Sequence, residues 1–208
     1  LTMEHANRIF SVFPEARIIL FLRRQPDIIA SFYYQYIAGG GNYSLKSFLN
    51  HKTKQELNGI SLFSYEFFEY HHTLKLYHKL FSQEQVFTYL FEEFQEDTKT
   101  FIERFCKDHK FQIAQSNIDY RPVLERFRIG IKHLFFISNL FTYRRIMNKY
   151  YIINIPYWFP TYKLILNRLR RYKIFGPRPS SIKILKENNY NFIMEYYKRS
   201  NRKLIEMY

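Results

Sequence analysis

Two adjacent arginines, Arg23 and Arg24, and a serine at position 31 are the residues whose types and spacing carry the most chemistry in this chain. A guanidinium presents a planar fork of donors that matches phosphate oxygens two at a time. A serine hydroxyl eight positions on, across a turn into a helix, can add a bond from a second direction. The pattern suits an anion carrying phosphate. It also suits a bland arrangement, in which the arginines end a strand in solvent and Ser31 packs within a helix, and spacing alone leaves both open. Other constellations carry less. His71, His72 and His78 lie on or near one helical segment, but no His or acid stands four positions after His71, so no metal site is expected. Cys106 stands beside Phe105 and is expected to be a small buried apolar residue. Glu92 and Glu93 follow an apolar run and either lie in a solvated turn, the reading preferred, or line the site.

The elements that must position Arg23 follow from the apolar pattern. Ala6, Ile9, Phe10 and Phe13 recur at helical spacing over 5–12, and Pro14 stops that helix. Arg17 to Leu22 (RIILFL) is short, continuous and bounded by breakers. It is expected to be a strand buried on both faces, as inside a parallel sheet. Pro26 and Asp27 suit the first turn of a helix, which carries Ile28, Ile29, Phe32, Tyr33, Tyr36 and Ile37 and ends at Gly39-Gly40-Gly41. A short helix at about 44–51 follows. Phe67, Tyr70, Leu74, Tyr77 and Phe81 place an amphipathic helix over 65–81. Val86 to Leu90 is a second strand, and Asp97 or Thr98 caps a helix to about Lys107. From about Ser181 to the end, a last helix carries Ile182, Leu185, Phe192 and Tyr196. Alternation of this kind predicts an α/β fold, a parallel sheet flanked by helices. Arg23 then leaves the carboxyl end of a strand, where ligands bind in open parallel sheets.

Composition bounds the rest. The chain has 208 residues, 32 Lys and Arg against 18 Asp and Glu, and a net charge of +14. Twenty per cent of the residues are aromatic, which excludes a disordered chain despite the charge. One cysteine excludes a disulfide framework and suits a reducing compartment. The uncharged run Tyr150 to Tyr162 falls short of the ~20 residues of a membrane span and is broken by Pro156 and Pro160. No signal-peptide pattern opens the chain, and a cytoplasmic location is expected. The first residue is Leu1 rather than Met, so the chain is expected to lack its natural amino terminus.

The stretch RRQPDIIASFYYQY, with Arg23, Asp27, Ser31 and Tyr33, resembles the 3′-phosphate-binding motif of sulfotransferases that use 3′-phosphoadenosine 5′-phosphosulfate (PAPS). The RRQ variant with S-x-Y and a glycine-rich exit is similar to the bacterial-type sulfotransferase domain. VFTYLFEEFQEDTKTFIERFCKDH (Val86 to His109) and EYYKRSNRKLIEMY, with its Ser-Asn-x-x-Leu pattern, resemble later parts of that family. The resemblance covers roughly 5–110 and 180–208. It implies a P-loop NTPase-like sulfotransferase fold, and it implies that Arg23 and Ser31 bind the donor's 3′-phosphate. Arg24 stands where cytosolic relatives often have asparagine, and no contact is assigned to it. The family's 5′-phosphosulfate loop, a glycine turn with Lys and Ser/Thr after the first strand, is not found. Gly39-Gly40-Gly41-Asn42 follows a helix and lacks the Lys-Ser/Thr, so it is a helix stop. The fold is therefore expected to be incomplete at its amino end. The family's base usually precedes the strand at 17–22, where Glu4 and His5 are ordinary helix residues, and no catalytic residue is assigned. If Leu1 is the true start, poor donor binding and no transfer are expected.

Between 121 and 178 stand thirteen Lys and Arg and one acid, Glu125, interleaved with bulky apolar residues. The expected division is a sulfotransferase core at 1–120, a basic aromatic helical lobe at 121–178 and a carboxyl-terminal helix at 179–208. The lobe is read in three ways: a solvated part of the domain, a surface for anionic lipid headgroups with Trp158 and its neighbours at the interface, or a single-strand nucleic-acid surface. No RNA- or DNA-binding motif is visible, which makes nucleic acid the weakest of these. The function implied is transfer of a sulfuryl group from PAPS, as co-substrate and without a metal, to a hydroxyl of a carbohydrate or glycolipid. The alternatives are a basic membrane-peripheral or nucleic-acid-binding protein without transfer activity, and an inactive truncated sulfotransferase.

Overall fold

The computed structural model describes residues 3–38, 43–49, 63–111 and 179–207. The Gly39–Gly41 stop and the basic segment 121–178 lie outside these residues. The elements in chain order are α1 (Met3–Val12), β1 (Ile18–Leu22), α2 (Gln25–Ala38), α3 (Leu45–Leu49), a 3₁₀ turn (Tyr65–Phe68), α4 (Tyr70–Leu80), a 3₁₀ turn (Gln83–Gln85), β2 (Val86–Leu90), α5 (Phe91–Glu96), α6 (Thr98–His109), α7 (Ser181–Leu185) and α8 (Glu187–Ile205). The described chain is mostly helical, with a small two-stranded parallel sheet, and so broadly α/β. None of its helices is long and apolar enough to cross a membrane. Two compact units divide it: one takes 3–24, 67–111 and 196–207, the other 25–38, 43–49, 63–66 and 179–195.

In the first unit, β1 and β2 pair in register from Ile18 with Val86 to Leu22 with Leu90. A polar clamp sets the start of β2. The Ser82 N–H donates to Gln85 Oε1 at 3.0 Å, and Gln85 Nε2 donates to the Pro14 carbonyl at 2.9 Å. Because side chains alternate along a strand, Ile18, Leu20 and Val86 share one face. There they pack with Ala6 of α1 and with Leu74, Tyr77 and Phe81. The other face of β1 differs from the two-sided burial expected, for Ile19 is 36% and Phe21 49% exposed. A continuous apolar run does not tell one buried face from two. On that face Phe21 meets Tyr89, Phe101 and Phe105 with ring centroids 5.8, 5.9 and 6.4 Å away.

The helix expected over 65–81 is a 3₁₀ turn followed by α4, and Phe67 is exposed, while Leu74, Tyr77 and Phe81 are buried as their spacing requires. Asp97 caps α6, its Oδ1 accepting from the Thr100 N–H at 3.1 Å. That helix runs on to His109 and stops at Lys110 in the left-handed region. Glu92 and Glu93 lie in the first turn of α5, a helix rather than a solvated turn. Cys106 is half-buried.

In the second unit, α2 packs on α7. α2 buries Ile29, Ala30, Tyr33, Tyr34 and Ile37, and α7 buries Ile184 and Leu185. Phe48 of α3 sits 5.0 Å from Tyr33 and 5.1 Å from Phe63 by ring centroid. The hydroxyls of this aromatic cluster find backbone partners: Tyr33 donates to the Tyr43 carbonyl at 3.1 Å, and Tyr36 accepts from the Tyr43 N–H at 3.1 Å. Burial pushes the Tyr33 hydroxyl up to about 12. The last helix also departs from the single segment expected. Lys186, at φ 64° and ψ 150°, separates α7 from α8. Of the face expected, Leu185 is buried, while Ile182 before the break and Phe192 and Tyr196 beyond it are exposed; the residues buried beyond it are Ile193, Tyr197 and Ser200.

Candidate functional site at the carboxyl end of β1

β1 ends at Leu22, and Arg23 and Arg24 follow at once. Arg23 is half-buried, its guanidinium 4.8 Å above the ring of Phe91, the first residue of α5. Such a contact stabilises a cation without consuming the donors at its edge. The Arg23 carbonyl accepts a 2.8 Å hydrogen bond from the Tyr70 hydroxyl at the start of α4. Burial pushes that hydroxyl up to about 12, so Tyr70 stays a donor at neutral pH. The Arg24 N–H donates to Glu92 Oε1 at 2.9 Å, and Arg24 Nε lies 3.6 Å from the same oxygen. The backbone at Arg23 and Arg24 is thus held from two elements, α4 and α5.

Phe91 also lines an open apolar cleft of about 450 Å³, with Phe21, Phe94, Phe101, Ile102 and Phe105. A cation and an apolar recess therefore meet at one ring. Ser31 lies half-buried on α2, and Asp27 in the first turn of that helix. Arg23 belongs to the first unit and Ser31 to the second. Glu4 and His5 are exposed on α1.

Sequence reasoning missed Tyr70 and Phe91, and it preferred a solvated turn to the reading in which Glu92 lines the site. Tyr70 was legible only as part of an apolar stripe. The acid that holds Arg24 lies 68 positions away and carries no local signal.

A second polar cluster lies between β2 and α6. The Tyr89 hydroxyl donates to Asp108 Oδ2 at 2.9 Å and lies 3.2 Å from His109 Nε2. With its single proton given to Asp108, the hydroxyl accepts from Nε2–H, which fixes the His109 tautomer. Burial, and next Arg17, hold the His109 imidazole below its ordinary range. Arg17 donates to the His109 carbonyl at 3.1 Å. Arg104 pairs with Glu93 and lies over the rings of Tyr89 and Phe101 at 5.9 and 5.5 Å. The Tyr89 hydroxyl ties β2 to Asp108 and His109 of α6, while His109 Nδ1 is buried without a hydrogen-bond partner among the described residues, so the cluster has the character of a structural lock. Comparison with protein-family models, with curated proteins and with solved structures finds no match to this chain.

Proposed function

We propose that this chain is a PAPS-dependent sulfotransferase of the P-loop NTPase-like type, acting on a hydroxyl of a carbohydrate or glycolipid. The observation that carries the reading is the order at the site. A strand in a parallel pair ends at Leu22, Arg23 follows, and α2, which bears Ser31, starts at Gln25. That is the order of the motif that the sequence resembles. In this reading Arg23 and Ser31 hold the donor's 3′-phosphate, and Tyr70 and Glu92 position the Arg23-Arg24 backbone. The apolar cleft that shares Phe91 with Arg23 suits the less polar part of a glycolipid acceptor.

The donor supplies an activated sulfuryl group. The acceptor oxygen forms the new bond to sulfur as the bond from sulfur to the leaving 5′-phosphate breaks, and a base takes the hydroxyl proton. Cationic groups stabilise the charge that gathers on the bisphosphate. No residue of this chain is assigned as the base.

Titration calorimetry of 3′,5′-adenosine bisphosphate against the wild-type chain and Arg23→Ala tests the assignment. The substitution is expected to weaken binding by about 1.5–3 kcal/mol, the range for a hydrogen bond to a charged group. Adenosine 5′-monophosphate, which lacks the 3′-phosphate, is expected to show no such difference. Equal affinities of both proteins for the bisphosphate would remove Arg23 from the site. No binding by the wild-type chain would count against the donor itself.

A further inference from the structure

We propose that Glu69, His71 and His72, at the start of α4, hold a divalent transition-metal ion of the zinc class. One ligating atom from each residue lies within 4.8 Å of the others. Glu69 and His72 already meet, Oε2 to Nε2, at 3.0 Å. Three ligands on a zinc ion stand about 3.4 Å apart, given bonds of about 2.1 Å in a tetrahedron. His72 is the ligand free to close the remaining distance, since its side chain is 66% exposed.

His71 supplies the independent observation. It is 8% exposed, and its Nδ1 lies 2.7 Å from the Ser200 hydroxyl of α8. Its Nε2 is buried and has no hydrogen-bond partner among the described residues. A buried nitrogen left so is costly. With Nδ1–H donating to the Ser200 hydroxyl, the arrangement is that of a metal-binding histidine: the proton sits on Nδ1 and Nε2 presents a bare lone pair. Ser200 is the positioning residue, and Nε2 the ligand atom.

The donor set also selects the ion. Two imidazoles and one carboxylate suit zinc, whereas calcium and magnesium take oxygen. Three protein ligands leave a fourth position for water. The pattern escapes a search for ligands four apart, because the three residues fall within four consecutive positions where a 3₁₀ turn gives way to α4. The site is independent of the sulfotransferase reading.

The test uses the full chain, stripped with a chelator and titrated with Zn²⁺ against a chromophoric competitor. The wild-type chain is expected to bind one equivalent. Glu69→Gln and His72→Ala are each expected to weaken that binding at least tenfold, while His78→Ala and Cys106→Ser leave it unchanged. Ser200→Ala is expected to loosen the metal by about tenfold to a hundredfold, with Ser200→Thr restoring it. Substitution at exposed His72 leaves the fold intact, which circular dichroism checks, so a loss of binding there reports on the ligand. Absence of zinc binding by the wild-type chain, or equal affinity in Glu69→Gln and His72→Ala, overturns the proposal.

Discussion

On one face of the β1–β2 pair, Ile18, Leu20 and Val86 meet Leu74, Tyr77 and Phe81 of α4 in an apolar core. On the other, Phe21 and Tyr89 meet the rings of Phe101 and Phe105, and the hydroxyl of Tyr89 runs on to Asp108 and His109. The first face is held by exclusion of water, which is non-directional and tolerates substitution by volume. The second adds hydrogen bonds of fixed direction to aromatic packing, and its edge stays open as a cleft. The first face closes over the strands, and the second leaves an apolar cleft whose Phe91 also lies under Arg23.

The difference is open to measurement. Leu74→Ala strikes the apolar face, where the residue is 1% exposed, and is expected to cost about 2–5 kcal/mol in urea unfolding. A cost near that of a surface site would show that α4 packs more loosely than described.

Tyr89→Phe strikes the other face, removing a hydroxyl while keeping the ring. It is expected to cost about 1.5 kcal/mol, as for a hydrogen bond to a carboxylate. Its signature is in pH. Burial, then the bond to Asp108, pushes the Tyr89 hydroxyl from 10.0 up to about 12. Above pH 10 the unfolded tyrosine releases its proton while the folded one keeps it, so stability is full below 10 and falls as pH rises through 12. The wild-type urea midpoint is expected to fall over that range, and more shallowly in Tyr89→Phe; parallel curves would separate the hydroxyl from the lock. Asp97→Ala tests the helix that carries this face, with an expected loss of about 1 kcal/mol in the same assay.

The elements closest to local pattern were the most legible. Both strands, the Asp97 cap and the buried stripe of Leu74, Tyr77 and Phe81 follow from short-range periodicity and capping chemistry. The open face of β1 was not legible, since its run of apolar residues is the same whether one face is covered or two. Nor was the break at Lys186, because a positive φ at a lysine is imposed by what packs around it. At the candidate site, Arg23 stood out by residue type and position after a strand. Tyr70 and Phe91 were hidden, because they reach it through pairing between distant segments, and Glu92 was noticed but its partner Arg24, 68 positions away, was not. His71 and His72 stood out as histidines, but Glu69, which meets His72 from three positions earlier, did not, because partners were sought four positions after His71.

The parallel register carries a consequence in time. Each residue of β1 pairs with one 68 positions later, from Ile18 with Val86 onward, and the first stretch of the second unit lies between them in the chain. At synthesis rates of about 5–20 residues per second, β1 waits about 3–14 s for the strand that completes its hydrogen bonds. During that interval an apolar strand edge stands unpaired, and no tight hairpin can shorten the wait, because parallel strands need a crossover. Among the described residues the sheet has only two strands, yet until it forms the growing chain is exposed to pairing with its neighbours.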